Sequence, residues 1–150
     1  SVLKTDGVLL GEKKPAVIRE KVAQALAMVN MTGHDHKMPV NLSGGMSKRG
    51  ALARVIISPP AVILYDEPTA GLDPIVSDSI NKLIRHLQKE LHVTSIVVTH
   101  DMVSCYHIAD RIALLSEGRI YFIGTPEELR RTTDPTIRDF VDGRSGETIY

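Results

Sequence analysis

The feature that most constrains the fold is an apolar run that ends in two carboxylates. Val62-Ile63-Leu64-Tyr65 contains no charged residue, and Asp66 and Glu67 follow it directly. A continuous apolar run of this length predicts a strand buried on both faces of a parallel sheet. Asp66 and Glu67 then lie at the carboxyl edge of that sheet, where α/β proteins bind their ligands.

Short apolar strands alternate with helical patterns on either side of this run. We predict helices over 47–57 (with Ala51, Leu52 and Val55 inward), 75–91 and 101–109, a second buried strand over 95–99, and an antiparallel hairpin over 111–123. Further helices begin after Thr125, which has a capping-box pattern, and after Asp134. The order strand, helix, strand, helix predicts a parallel α/β sheet.

The first 41 residues differ from the rest of the chain, because their pattern predicts helix and includes no convincing buried strand. From Pro15 the apolar residues of one predicted helical face are Ile18, Val22, Ala25, Leu26 and Val29. Ser1–Leu10 has no signal-peptide pattern, and the absence of an initiator Met suggests that the sequence starts inside a longer protein.

Composition excludes several classes of protein. The chain has 150 residues with 18 basic and 18 acidic side chains, so its neutral balance gives no reason to expect a nucleic-acid partner. No run of 18 apolar residues is present to span a bilayer. Cys105 is the single cysteine, which excludes an intrachain disulfide and is typical of a small buried hydrophobe.

Four clusters in the chain carry chemistry. Leu42-Ser43-Gly44-Gly45 precedes a helix, where two glycines, a hydroxyl and unpaired N–H groups suit a phosphate, although a flexible helix cap explains the same residues. Asp66 can hold Mg²⁺ and Glu67 can orient a water, or the pair can be a solvated acidic turn. Asp73 lies in a turn and can cap the next helix. His100 ends the second strand, where parallel pairing would bring it near Glu67.

The order and spacing of these clusters resemble the ATP-binding cassette (ABC) transporter ATPases. Leu42-Ser43-Gly44-Gly45 is similar to the family's signature loop, and Asp66 and Glu67 resemble its Walker B aspartate and catalytic glutamate. Ala70-Gly71-Leu72-Asp73 resembles the D-loop, and His100 the switch histidine. The implied fold is the C-terminal part of a P-loop NTPase (RecA-like) parallel-sheet core, preceded by part of the ABC helical subdomain.

The resemblance also implies a domain division, cofactors and partners. Residues 1–41 are part of the helical subdomain and 42–150 the α/β core of one truncated domain. ATP and Mg²⁺ are the expected cofactors, with Asp66 on the metal, Glu67 on the hydrolytic water and His100 on the γ-phosphate. The expected partners are a second nucleotide-binding subunit, paired head-to-tail, and an integral membrane permease. Ser43, Gly44 and Gly45 would contact the partner's ATP, and Asp73 would bridge the dimer.

Departures from the family pattern are as informative as the matches. No Gly-x-x-x-x-Gly-Lys-Ser/Thr occurs, and the adenine-stacking aromatic and the glutamine loop are absent as well. We therefore expect the 150 residues alone to be inactive, although the full-length protein would be an ATPase. The fifth signature position is Met46, where the family usually has Gln.

Met46 with Ser47-Lys48-Arg49, and the tail over 134–143, resemble the ATPase subunits of Mla-type phospholipid transporters and their plastid relatives. The expected location is the cytoplasmic face of the inner or plasma membrane, or the stromal side in a plastid, reached through the permease. The alternatives are an importer of polar solutes such as amino acids, a soluble cassette ATPase that acts on ribosomes or chromosomes, and a binding module that does not hydrolyse ATP.

Overall fold

The computed structural model describes residues 15–58 and 60–144. The chain divides between Thr99 and His100 into two compact units. The helices and strands, in chain order, are α1 (Pro15–Met28), a 3₁₀ turn (Pro39–Asn41), α2 (Gly44–Ile56), β1 (Val62–Asp66), α3 (Pro74–Leu91), β2 (Thr94–Val98), α4 (Met102–Ile108), β3 (Ile112–Ser116), β4 (Arg119–Gly124), α5 (Pro126–Arg131) and α6 (Pro135–Asp142).

The core of the first unit lies between its helices and one face of its two strands. Val29, Ile80 and Leu87 are completely buried there. The predicted inner face of α1 supplies Ala25 and Leu26 to the same cluster. This confirms the helical pattern predicted from Pro15, while the first fourteen residues, including the predicted lack of a signal peptide, lie outside the described part.

The two strands of the first unit pair in parallel. Val62 lies opposite Thr94, and the register continues to Asp66 opposite Val98. Because α3 connects the two strands, β1, α3 and β2 form the strand–helix–strand order predicted from the sequence. Both strands therefore end at the same edge, which places Asp66 and Glu67 beside the end of β2.

One face of this strand pair is exposed, so the prediction that β1 is buried on both faces is wrong for the described residues. Ile63 is 3% exposed, whereas Leu64 is 74% exposed. The prediction that the second strand is buried is wrong as well, because the side chains of Ile96 and Val98 on β2 are exposed. The apolar run correctly predicted a strand, but the described residues of this unit pack against only one face of that strand.

The structure also shifts the predicted start and inner face of α2. The helix begins at Gly44 instead of Ser47, because Ser43 is its N-cap. Leu52, Ala53 and Ile56 are buried, whereas Ala51 and Val55, which the pattern places inward, are exposed. Leu52 and Ile56 are spaced i, i+4 and define the buried stripe, and Val55 lies about 100° around the helix from Ile56. Pro59, part of the predicted helix stop, is outside the described residues.

The second unit contains the predicted hairpin and the predicted capped helices. β3 and β4 are antiparallel, and Glu117 and Gly118 both adopt the positive φ that a tight two-residue hairpin loop requires. Thr125 and Glu128 form a complete capping box at α5. The core residues are Ile112, Leu114, Leu129 and Ile137. Cys105 is half-buried against this core, and burial raises the pKa of its thiol.

Candidate functional site

The predicted signature loop forms the start of α2. The Ser43 hydroxyl oxygen accepts the N–H of Met46 at 3.3 Å, as in a standard helix N-cap. The first N–H groups of a helix have no acceptor within it, so those of Gly44 and Gly45 can donate to an anion. The helix-cap and phosphate-contact interpretations of this loop are thus compatible, because the cap uses only one lone pair of the hydroxyl.

Gly44 and Gly45 also permit close packing of α2, which the sequence did not reveal. A Cβ on Gly45 would lie 2.7 Å from Val76 Cγ1, and one on Gly44 would lie 3.1 Å from Leu72 Cδ2. Leu72 belongs to the predicted D-loop, and Val76 belongs to the first turn of α3. The glycines therefore allow the start of α2 to pack closely against the segment that follows Glu67.

This packing predicts that Gly45→Ala destabilises the first unit by about 1–3 kcal/mol, the usual cost of overpacking. Val76 is β-branched and has little freedom to move away. Urea unfolding of Gly45→Ala, Val76→Ala and the double variant measures the effect. We expect the double variant to lose less unfolding free energy than the sum of the losses in the two single variants. Strict additivity would contradict a direct steric conflict.

Glu67 sits immediately after β1 in an unusual backbone conformation, with φ of +43°. Its N–H donates to the Val98 carbonyl at 2.9 Å, so the parallel pairing continues one residue past the strand. Its carboxylate accepts the Thr99 hydroxyl at 3.2 Å. The carboxylate is therefore held at the carboxyl edge of the strand pair, as predicted.

Thr99 and Lys48 were missed by the sequence reasoning. The Lys48 ammonium donates to the Glu67 carbonyl at 3.0 Å. The register of β1 and β2 extends to place Thr99 opposite Glu67, so correct strand pairing would have identified the threonine. No comparable signal identifies Lys48, because its partner is a backbone oxygen from another part of the chain.

Asp66 is exposed at the same edge. Its side chain makes no hydrogen bond or ion pair within residues 15–58 and 60–144. That part of the chain also contains no group of three His, Cys, Asp or Glu side chains that could hold a metal ion. A single available carboxylate still fits Mg²⁺, since this ion keeps most of its waters and is otherwise held by substrate phosphates.

Asp73 is the N-cap of α3. Its Oδ1 accepts the N–H groups of Ile75 and Val76, both at 3.0 Å. This confirms the capping interpretation, and the side chain remains exposed. The first unit thus contains the signature loop, both carboxylates and Asp73. The contribution of Asp73 to a dimer stays a prediction.

His100 is the first residue of the second unit, where its side chain is exposed. The next residue, Asp101, caps α4: its carboxylate accepts the Val103 N–H at 3.0 Å and the Ser104 hydroxyl at 2.5 Å. The hydrogen bond from Ser104 is the main reason that the pKa of Asp101 falls below its ordinary value of 3.8. The proximity of His100 to Glu67 stays a prediction.

The lowered pKa of Asp101 predicts a pH-dependent contribution to stability. The ionised carboxylate is stabilised in the folded chain, so its contribution is present above the unfolded pKa and is lost as pH falls through the folded value. We expect the urea midpoint of the wild type to fall more than that of Asp101→Ala when the pH is lowered from 7 to 3. If the urea midpoints of the two chains fell by the same amount, the Asp101 carboxylate would make no pH-dependent contribution to stability.

Similarity to known proteins extends over most of the chain. A family model described as ABC transporter matches residues 4–70. A sulfate/thiosulfate import ATP-binding protein of Nocardia farcinica is 40% identical over 123 residues, which cover 82% of this chain. A probable ribonucleotide transport ATP-binding protein of Mycobacterium tuberculosis is 35% identical over 133 residues, or 89% of the chain. The chain spans 37% of the length of each relative.

Solved structures show the same relationship at the level of the fold. The protein cbiO1 of Clostridium perfringens, part of the ABC transporter complex cbiONQ, is 36% identical with a TM-score of 0.76. The dimeric cassette MJ0796, in a post-hydrolysis state with ADP and Pi, is 30% identical with a TM-score of 0.66. The matches cover 83% and 77% of this chain and 49% and 50% of those chains.

The predicted fold class is therefore confirmed: the chain shares its mixed helix and parallel-strand architecture with ABC cassettes. No helix in the described ranges is long and apolar enough to cross a membrane. In sequence and in structure the chain is therefore similar to the ATP-binding proteins of ABC transporters.

Proposed function

We propose that the protein containing this chain binds and hydrolyses ATP to drive transport through a membrane permease. The observation that carries the proposal is the position of Glu67. Its backbone continues the parallel pairing and its carboxylate is held by Thr99, next to the exposed carboxylate of Asp66. Two acidic groups at the carboxyl edge of parallel strands are suited to phosphoryl transfer to water.

Each predicted site residue has a role in this proposal. Asp66 holds Mg²⁺, which neutralises charge on the phosphates when it is bound. Glu67 orients and polarises the attacking water, and His100 contacts the γ-phosphate. The signature residues donate N–H and O–H groups to the nucleotide held by a second, head-to-tail subunit, and Asp73 contributes to that dimer interface. The dimeric form of MJ0796 supports such pairing.

We propose the domain boundaries and the location on the basis of the same similarity. Residues 1–41 are proposed to belong to the helical subdomain, and 42–150 to the α/β core. The permease would hold the protein at the cytoplasmic face of the membrane. Membership of cbiO1 in a larger transporter complex supports a permease partner. No phosphate-binding Gly-x-x-x-x-Gly-Lys-Ser/Thr occurs in the 150 residues, so ATP binding by them alone would be weak.

For the transported substrate we propose phospholipid, supported by the signature variant with Met46 and by the tail over 134–143. The names of similar proteins support a second candidate, an importer of ions or polar solutes, since two relatives are named as ATP-binding proteins for the import of sulfate or thiosulfate and of Fe(3+) ions. The two candidates require different permeases and make different predictions for the cell.

Replacing the chromosomal codon for Glu67 with one for Gln tests both the ATPase and its substrate. We expect the outer or enclosing membrane to show altered phospholipid content, with unchanged uptake of sulfate and Fe(3+). Loss of sulfate or iron uptake with normal lipids would favour the second candidate. If phospholipid content, sulfate uptake and Fe(3+) uptake were all unchanged, the result would count against a transport ATPase that depends on Glu67. A silent codon change at Glu67 is the matched control.

A further inference from the structure

The backbone of Glu67 lies in a region that non-glycine residues rarely occupy. Its φ of +43° is in the left-handed range, which costs about 1 kcal/mol or more for a residue with a Cβ. Such conformations persist where the surrounding structure fixes them. The contacts that fix Glu67 therefore determine where its carboxylate points.

Three parts of Glu67 are held by different partners. Its N–H is bonded to Val98 and its carboxylate to Thr99, both at the end of the neighbouring strand. Its carbonyl accepts the Ala70 N–H at 3.2 Å, which closes the turn after the strand. The same carbonyl accepts the Lys48 ammonium at 3.0 Å, and Lys48 comes from α2. A charged donor makes this a stronger bond than a neutral one.

Lys48 connects Glu67 to the helix that begins with the signature loop. It is half-buried and lies one turn beyond Gly44, on a helix capped by Ser43. A helix moves as a stiff body, so a displacement at its first turn is carried to a side chain in its second. Gly45 packs against Val76, which ties the same helix to the segment after Glu67.

We propose that Lys48 is a positioning residue that couples the signature loop to the catalytic glutamate. When the first turn of α2 shifts, as it would on contacting a phosphate, the ammonium moves the Glu67 carbonyl and with it the strained turn. The orientation of the carboxylate then depends on the state of the signature loop in the same chain. This inference rests on the proposed function for its consequence in catalysis, but not for the coupling itself.

Hydrogen exchange on the full chain tests the coupling without any nucleotide. Lys48→Met removes the donor and keeps a long apolar stem, whereas Lys48→Arg keeps a charged donor. We expect the amides of Glu67 and Ala70 to exchange about tenfold faster in Lys48→Met, at a urea midpoint close to that of the wild type. Lys48→Arg is expected to restore slow exchange. Lys82→Met, a solvent-exposed lysine on α3, is the matched control.

The steady-state kinetics of the assembled ATPase provide the second measurement. We expect Lys48→Met to lower kcat about tenfold with little change in KM, and Lys48→Arg to recover most of it. Unchanged exchange at Glu67 and Ala70 in a folded Lys48→Met chain would overturn the proposal. So would a change in KM alone. If the exchange result holds but Glu67→Gln does not change turnover, the proposed role of Glu67 in hydrolysis fails and the coupling stands.

Discussion

Glu67→Gln is expected to reduce ATP turnover by the assembled protein about 10²–10⁴-fold, the usual contribution of a positioned general base. The amide keeps the size of the side chain and can still accept the Thr99 hydroxyl, but it cannot polarise a water as a carboxylate does. Nucleotide binding should change little, because Glu67 is assigned to the water and not to the phosphates. The measurement is steady-state phosphate release together with ATP affinity.

Thr99→Val tests how much the position of the Glu67 carboxylate contributes to turnover. It removes the hydroxyl that bonds the Glu67 carboxylate while it keeps the shape of the side chain. We expect a smaller loss of turnover than in Glu67→Gln, since the backbone bond to Val98 remains. Equal activity of Glu67→Gln and the wild type would show that another group activates the water.

Ile63→Ala is expected to lower the free energy of unfolding of the chain by about 2–5 kcal/mol, whereas Leu64→Ala should change it by less than about 0.5 kcal/mol. The two residues are neighbours on β1, but Ile63 is 3% exposed and Leu64 is 74% exposed. Urea denaturation of both variants measures the difference. Equal costs would show that the exposed face of the strand pair is covered in solution, for example by self-association.

The sequence was sufficient to predict the strand and the two carboxylates at its carboxyl end, because the relevant signals are local. The apolar run before Asp66 defines β1, and helix caps such as Thr125 are read from a few adjacent residues. The same local reasoning gave the carboxyl-edge position of Glu67, since parallel strands end at one edge.

Contacts between distant segments could not be predicted in this way. The exposed face of β1 depends on which elements pack against it, and the periodicity of a strand carries no information about its cover. The sequence predicts a ligand contact or a helix cap at Gly45, whereas its proximity to Val76 depends on how α2 meets α3. The bond from Lys48 to the Glu67 carbonyl likewise requires the tertiary fold.

We propose that these 150 residues carry the hydrolytic groups of an ABC ATPase but no loop of their own to hold the ATP phosphates. ATP turnover by the purified 150-residue chain, with Mg²⁺ and with Glu67→Gln as the matched control, tests it most directly. We expect phosphate release no faster than in the control. Robust, Mg²⁺-dependent hydrolysis that disappears in Glu67→Gln would contradict it.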